Sequence, residues 1–357
     1  MATAHINQIA TATPPHDVHD AYIAMTDQAL VDRRDRLIFK RMATRSGIEH
    51  RFSYFNPIVS DTTTTDTEGF YVRGQYPTTA TRMNYYEANA PRLALEAIAN
   101  MDFDRDSITH IVVASCTGFV APGLDQIIVR DAGLPTSVER TVVGFMGCYA
   151  AVNALRLAHH FVRSEPASRV LVVNLELCTL HLQETQEMEK LLAMMLFGDG
   201  CATTLVTAEE SGLAMEDFRA INLPRSDELI TWRVGDQGFD MRLSGDVPQR
   251  ILTALQAEMV KNDTDGLLRG LRPEAFDSWA VHAGGRSILD AVENGFGLGA
   301  HALQRSRAVL RDFGNMSSAT IMFVLQQMLG GADKVANGLA MAFGPGLAAE
   351  TFRFRHA

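Results

Sequence analysis

The chain has 357 residues, 46% apolar and 21% charged, the balance of a globular protein built as two domains or one duplicated one. A net charge of −10 excludes nucleic acid and anionic membrane as main partners. No run approaches the roughly 18 uninterrupted apolar residues of a membrane span, and the start lacks a basic segment followed by an apolar core, so a cytoplasmic protein with no membrane insertion is expected.

In chain order, the first basic cluster surrounds Arg41 and Arg45, one helical turn apart, a pattern that by itself describes a solvated helix face. Residues 108–115 form a short β-branched run of buried-strand type, followed at once by Cys116 and Thr117. Gly144 and Gly147 frame a sharp turn before Cys148, and residues 148–162 read as a helix apolar on most faces, hence buried between layers. Residues 169–174 and 201–206 are further strands, the second following the turn Gly198-Asp199-Gly200. Met188, Met194 and Met195 read as core filling, and His159 and His160, adjacent on one helix, face apart and do not suit a metal. Polar residues and Gly212 within 209–218 mark a boundary between halves 1–212 and 213–357.

The second half repeats this grammar, with a strand over 278–282, an apolar helix over 315–329 and a strand over 339–343. Cys116 to Cys148 spans 32 positions and His282 to Asn315 spans 33; Cys148 to Val172 and Asn315 to Leu339 each span 24. Matched spacing predicts a duplication, each half a mostly parallel α/β unit. Ligands of such sheets bind beyond the carboxyl ends of the strands, so Cys148, His282 and Asn315 are expected over one pocket.

These residue types suit thioester chemistry. A thiolate exchanges readily with a thioester, and a helix N-terminus with a nearby histidine is expected to depress the Cys148 pKa below the usual ~8.5. Decarboxylation makes an enolate, for which His282 and Asn315 are hydrogen-bond donors, and no carboxylate base is required. The four cysteines (Cys116, Cys148, Cys178 and Cys201) show no zinc or disulfide spacing, and no metal is expected. Residues 342–346 are too short for a phosphate loop and lack its lysine; no dinucleotide fingerprint or Gly-x-Ser-x-Gly elbow is present.

Over essentially the whole chain the sequence resembles the type III polyketide synthases, the chalcone synthase-like branch of the thiolase superfamily. The resemblance rests on residues 11–15, Met146 to Ala151, Leu196 to Gly200, His282 to Asp290, Phe313 to Ser318 and Phe343 to Leu347. It implies a duplicated thiolase-like fold, two pseudo-symmetric halves in a layered αβαβα arrangement. Cys148 would bear the acyl group, His282 and Asn315 would serve decarboxylation, and Phe197 would gate a cavity lined by Cys116, Thr117, Cys178, His181 and Met241. Arg41 and Arg45 would hold coenzyme A phosphates. Ile38 replaces a third basic residue of plant members, and Arg286, standing where plants have proline, would supply that charge. Ala342 replaces the first glycine of the C-terminal loop. No cofactor is implied beyond acyl-CoA and malonyl-CoA, and the partner implied is a second copy of the chain, with residues 119–123 near the interface.

The expected reaction is iterative condensation of malonyl-CoA onto a fatty acyl starter, closing to an alkylpyrone or alkylresorcinol. Alternatives are a malonyl-CoA-only tetrahydroxynaphthalene synthase, a single-condensation ketoacyl synthase III-like enzyme and a silent acyl-CoA-binding homologue. A glutamate base at Glu176, as in hydroxymethylglutaryl-CoA synthase, has no motif behind it.

Overall fold

The computed structural model describes residues 2–60, 63–261 and 263–357. Nine strands form one sheet in the order Ser278–Val281, Gly338–Gly344, Ala348–His356, Leu213–Asn222, Ala4–Ala12, Asp199–Thr207, Val170–Leu177, His110–Ser115, Glu139–Gly144. Counting outward from the central antiparallel pair of Ala4–Ala12 with Leu213–Asn222, four strands on each side follow in the same chain order. Only Glu139–Gly144 has no counterpart among the described strands. His110–Ser115 therefore corresponds to Ser278–Val281, and Cys116 to His282, each the first residue past its strand.

Alternation along the strands builds the layers. Leu171, Val173 and Leu175 face one way and join Leu93 and Ile98 of the helix Thr79–Ala99 in one core. Val170 and Val172 face the other way, toward Ala151, Leu155 and Ala158 of Ala150–Ser164. In the second half Leu339 and Met341 pack with Leu289 and Val292 of Arg286–Phe296, while Ala340 and Ala342 share the central core with Ile321 and Leu325 of Thr320–Leu329. The two apolar helices thus lie between the halves, giving the five-layered thiolase-like arrangement. Small side chains at Ala150, Ala151, Ala154 and Ala158, all fully buried, let strands of both halves approach. His159 is buried and His160 exposed, so the two rings lie in different surroundings.

Three sequence expectations need correction. The sheet is mixed: only three of its eight ladders are parallel. The connection from Val170–Leu177 to Asp199–Thr207 does not cross over the sheet; it folds beside the strand ends, so the next strand runs back antiparallel. The central helices begin later than expected. Tight 3-10 turns at Gly147–Tyr149 and Ser317–Ala319 precede α-helix from Ala150 and from Thr320. Gly144 has open space where a Cβ would stand and no left-handed backbone, so it is not required for the turn. No helix among the described residues is long and apolar enough to cross a membrane.

Candidate active site

The turn that presents Cys148 is built by left-handed backbone at Phe145 (φ 58) and Gly147 (φ 77). A Cβ on Gly147 would lie 2.3 Å from Pro345 Cδ, which makes glycine obligatory there. The Gly147 N–H donates to Cys116 Sγ at 2.9 Å. The loop after Gly338–Gly344, in the second half of the chain, therefore abuts the Cys148 turn in the first, and a Cβ on Gly344 would meet the Tyr149 ring at 2.5 Å.

His282 follows Ser278–Val281, its N–H bonded to Met341 O at 2.8 Å. Gly284 sits against the imidazole, its Cβ position 3.5 Å from Nε2, and Gly284 O accepts from Asn315 Nδ2 at 3.2 Å. Asn315 Oδ1 accepts from Ser317 N at 2.8 Å, so its carboxamide is oriented with Nδ2 as the outward donor. Asn315 and Ser317 both hydrogen-bond the Cys148 side chain. Cys148, Asn315 and His282 thus form one chain of contacts, although His282 and Asn315 stand behind the cavity wall formed by Cys148 and Ser317. Phe197 is tied to this centre by backbone: Asn315 N donates to Leu196 O at 2.8 Å and Gly198 N donates to Asn315 O at 3.0 Å, with Phe197 between.

Electrostatically the resting site is neutral. Burial pushes the Cys148 thiol up to about 12, outweighing the hydrogen bonds from Ser317 and Asn315. Burial alone brings His282 down to about 3, and neither of its ring nitrogens has a hydrogen-bond partner among the described residues. The depressed thiol pKa expected from the sequence is therefore absent in this state. The thiol is desolvated, it sits on a 3-10 turn, and no hydrogen bond joins it to the imidazole.

The buried Glu176, near the end of Val170–Leu177, accepts from Cys116 N (2.9 Å), Thr117 Oγ1 (2.9 Å) and Ser318 Oγ (2.6 Å). Burial raises its carboxyl to about 7 against those hydrogen bonds. From within its own strand it ties the residues after His110–Ser115 and a helix start into one network, a role sequence reasoning missed. The available signal was Asn174 and Glu176, two polar residues on one face of an otherwise apolar strand.

A cavity with about 1120 Å³ of empty space, part of it open to solvent, lies in front of Cys148. Phe197, Cys116, Thr117, Cys178, His181 and Met241 all line it. So do Trp232 and Phe239, which sequence reading missed, from the hairpin Ile230–Gly235 and Gly238–Leu243. Trp232 Nε1 donates to Cys116 O at 2.7 Å, and Phe239 stacks on His181 with centroids 4.1 Å apart. His181 Nε2 bonds Thr117 O at 2.7 Å and Nδ1 accepts from Phe239 N at 3.0 Å, so the ring is a neutral wall element, its pKa brought to about 3 by burial. Strand alternation with the Asp236-Gln237-Gly238 turn was the signal for this hairpin.

Arg41 and Arg45 lie exposed on the helix Arg33–Ser46, outside the cavity. Asp32 caps this helix by accepting from Arg34 N and Asp35 N, and Gly47 ends it in left-handed conformation. Arg286 Nη1 donates to Arg45 O at 3.3 Å, which gathers Arg45 and Arg286 beside the His282 segment, while Arg286 also approaches Asp290 at 3.8 Å. Ile38 is 39% exposed on the same helix.

Residues 2–210 match the family model for the N-terminal domain of chalcone and stilbene synthases, and residues 214–357 match that for the C-terminal domain. The alpha-pyrone synthesis polyketide synthase-like Pks18 of Mycobacterium tuberculosis is 31% identical, over 98% of this chain and 91% of its own length. Bisdemethoxycurcumin synthase of Oryza sativa subsp. japonica is likewise 31% identical, over 96% and 90%. Among solved structures, PKS-I from the brown alga Ectocarpus siliculosus superposes with a TM-score of 0.87 at 27% identity, covering 100% of this chain and 99% of that one. CsyB complexed with CoA-SH gives 0.84 at 22% identity, covering 99% and 100%, a likeness of fold.

Proposed function

The chain belongs to the chalcone and stilbene synthase family and is a type III polyketide synthase, and from that premise we propose what its residues do and what it makes. Cys148 Sγ attacks the carbonyl of an acyl-CoA starter; the thiol proton passes to His282 and from there to the departing coenzyme A sulfur. Malonyl-CoA then loses CO2, and its enolate oxygen takes hydrogen bonds from His282 and from Asn315 Nδ2. The enolate carbon attacks the acyl-Cys148 carbonyl, the Cys148 thiolate leaves, and the chain returns to the enzyme two carbons longer.

The observation that carries this reading is the pair of unpartnered ring nitrogens on His282, 2% exposed, beside a carboxamide whose oxygen is already engaged. Leaving a buried polar group unpaired costs about 1–3 kcal/mol, which a substrate oxygen would offset. Intact-mass measurement after mixing with acyl-CoA tests loading: a thioester on Cys148 supports the reading, and none in the wild type sinks it in favour of a silent binding homologue. His282→Ala and Asn315→Ala should each slow CO2 release from malonyl-CoA about 100- to 1000-fold.

The starter we propose is a fatty acyl-CoA, and the product an alkylpyrone or alkylresorcinol. Support comes from the apolar wall of Ile230, Trp232, Phe239, Met241 and Met194. Each buried methylene adds about 0.8 kcal/mol, so kcat/KM should climb with acyl length until the cavity is full. A flat profile with efficient turnover of malonyl-CoA alone would favour a tetrahydroxynaphthalene synthase instead. The reaction as written needs no cofactor beyond its two thioesters. Arg41, Arg45 and Arg286 would take the coenzyme A phosphates.

We further propose a homodimer. Phe119, Val142 and Phe145 are 56%, 57% and 38% exposed, and Phe119 and Phe145 lie against Phe239 of the cavity wall. A fully active monomer in sedimentation at micromolar concentration would refute it. The pseudo-symmetric halves are proposed as 1–212 and 213–357, in keeping with the central pairing of Ala4–Ala12 and Leu213–Asn222.

A further inference from the structure

Arg51 is a buried cation, 2% exposed, that the reaction above does not use. Its guanidinium makes no ion pair with a carboxylate among the described residues. Instead Nε donates to His19 Nδ1 at 3.0 Å, and Nη1 donates to Met194 O at 2.9 Å and Phe197 O at 2.6 Å, while Nη2 has no partner among the described residues. The two carbonyls belong to the C-terminal end of the helix Met188–Leu196, where carbonyls are unsatisfied and the helix dipole is negative. The Tyr22 ring covers the guanidinium at 5.1 Å.

The aliphatic stem lies in a slot between two glycines. A Cβ on Gly314 would come 2.8 Å from Arg51 Cγ, and one on Gly198 would come 3.4 Å from Arg51 Cβ. Gly198 follows Phe197 and Gly314 precedes Asn315, and the two segments are joined by the hydrogen bonds from Asn315 N to Leu196 O and from Gly198 N to Asn315 O. One side chain therefore sets the position of both segments. The backbone turn that carries Cys148 is held by Cys116 and Pro345, and Asn315 reaches only the Cys148 side chain.

We propose that Arg51 is a positioning residue for decarboxylation: by holding the carbonyls of Met194 and Phe197 it fixes the backbone bridge that aims the Asn315 carboxamide at the enolate. The proposal rests on the assignment of Asn315 as an enolate donor. It requires loading of Cys148 and decarboxylation of malonyl-CoA to respond differently when Arg51 is changed. Loss of the whole fold would move both alike.

The test compares Arg51→Met, Arg51→Lys and Asn315→Ala in the full chain, reading single-turnover acylation of Cys148 by intact mass and release of labelled CO2 from malonyl-CoA. Arg51→Met should acylate within about threefold of wild type while CO2 release falls about 100-fold, the cost of a misplacement of ~1 Å. Arg51→Lys, whose single ammonium substitutes poorly for the two-carbonyl grip, should fall between, and it keeps the test available if Arg51→Met fails to fold. Equal loss of both rates in Arg51→Lys would overturn the proposal and make Arg51 purely structural. Unchanged CO2 release in the Arg51 variants, with Asn315→Ala impaired, would overturn it too. Unchanged CO2 release in Asn315→Ala would remove the premise itself, an outcome distinct from both.

Discussion

Replacing Gly147 with alanine adds one methyl group at the point where the two halves of the chain meet over Cys148. The new Cβ would lie 2.3 Å from Pro345 Cδ and 2.6 Å from its Cγ, where ordinary contact begins near 3.4 Å. The proline ring cannot rotate away, so the Cys148 turn or the Pro345 loop must shift by about 1 Å. The backbone φ of 77° adds roughly 1–2 kcal/mol for a residue with a Cβ, and overpacking adds about 1–3 kcal/mol. A destabilisation of about 2–5 kcal/mol follows, together with a loss of about 100-fold in Cys148 acylation from the displacement. Gly144→Ala is the internal control: its Cβ meets nothing within 4 Å, so stability should change by no more than about 0.5 kcal/mol. Urea denaturation midpoints and single-turnover intact-mass acylation read both effects. Equal behaviour of the two variants, or wild-type acylation by folded Gly147→Ala, would refute this account of the turn.

Other outcomes follow from the electrostatics. If Cys148 ionises only as a pair with His282, then His282→Ala should raise the apparent pKa for iodoacetamide alkylation of Cys148 by at least about one unit, and an unchanged value would exclude the pair. Burial raises the carboxyls of Glu176 and Asp199 to about 7, so their contribution to stability is complete below their ordinary acidic range and is lost as pH climbs through 7. Glu176→Gln should therefore flatten the fall in Tm between about pH 4.5 and 7, whereas profiles parallel to wild type would show that Glu176 does not titrate there. Arg41→Ala with Arg45→Ala should raise KM for an acyl-CoA about fivefold but leave an acyl-pantetheine substrate unaffected, the difference shrinking with salt. Equal KM changes for both substrates would place the phosphates elsewhere.

The juxtaposition of Cys148, His282 and Asn315 was legible because these residues follow spacing. Cys116 and His282 come directly after equivalent strands, and the intervals to Cys148 and Asn315 survive as 32 and 33 positions. Of the residues that the family resemblance assigns to a cavity, Cys116, Thr117 and Cys178 directly follow sheet strands, whereas Met241 comes from the separate hairpin. What stayed hidden depends on long-range burial. Glu176 and Arg51 look like ordinary charged residues in sequence, and only the fold brings Ser318 to one and Met194 and Phe197 to the other. Trp232 and Phe239 sit on a hairpin whose inward face is defined by Cys116 and His181, more than fifty residues away. The Cys148 pKa was misjudged because helix position is visible in a sequence and desolvation is not.

The place of Ala348–His356 in the sheet has a consequence for biosynthesis. It follows every other described strand in the chain, yet it is inserted between Gly338–Gly344 and Leu213–Asn222, not added at an edge. Until it arrives, the strands that support His282 and the Pro345 loop have no hydrogen-bonded connection to the part of the sheet that supports Cys148. A nascent or prematurely terminated chain can contain the cysteine, the histidine and the asparagine and still have no assembled centre. Pairing of Ala348–His356 is thus the step that joins the two parts of the sheet, and deleting this strand would separate His282 from Cys148 with every one of those side chains intact.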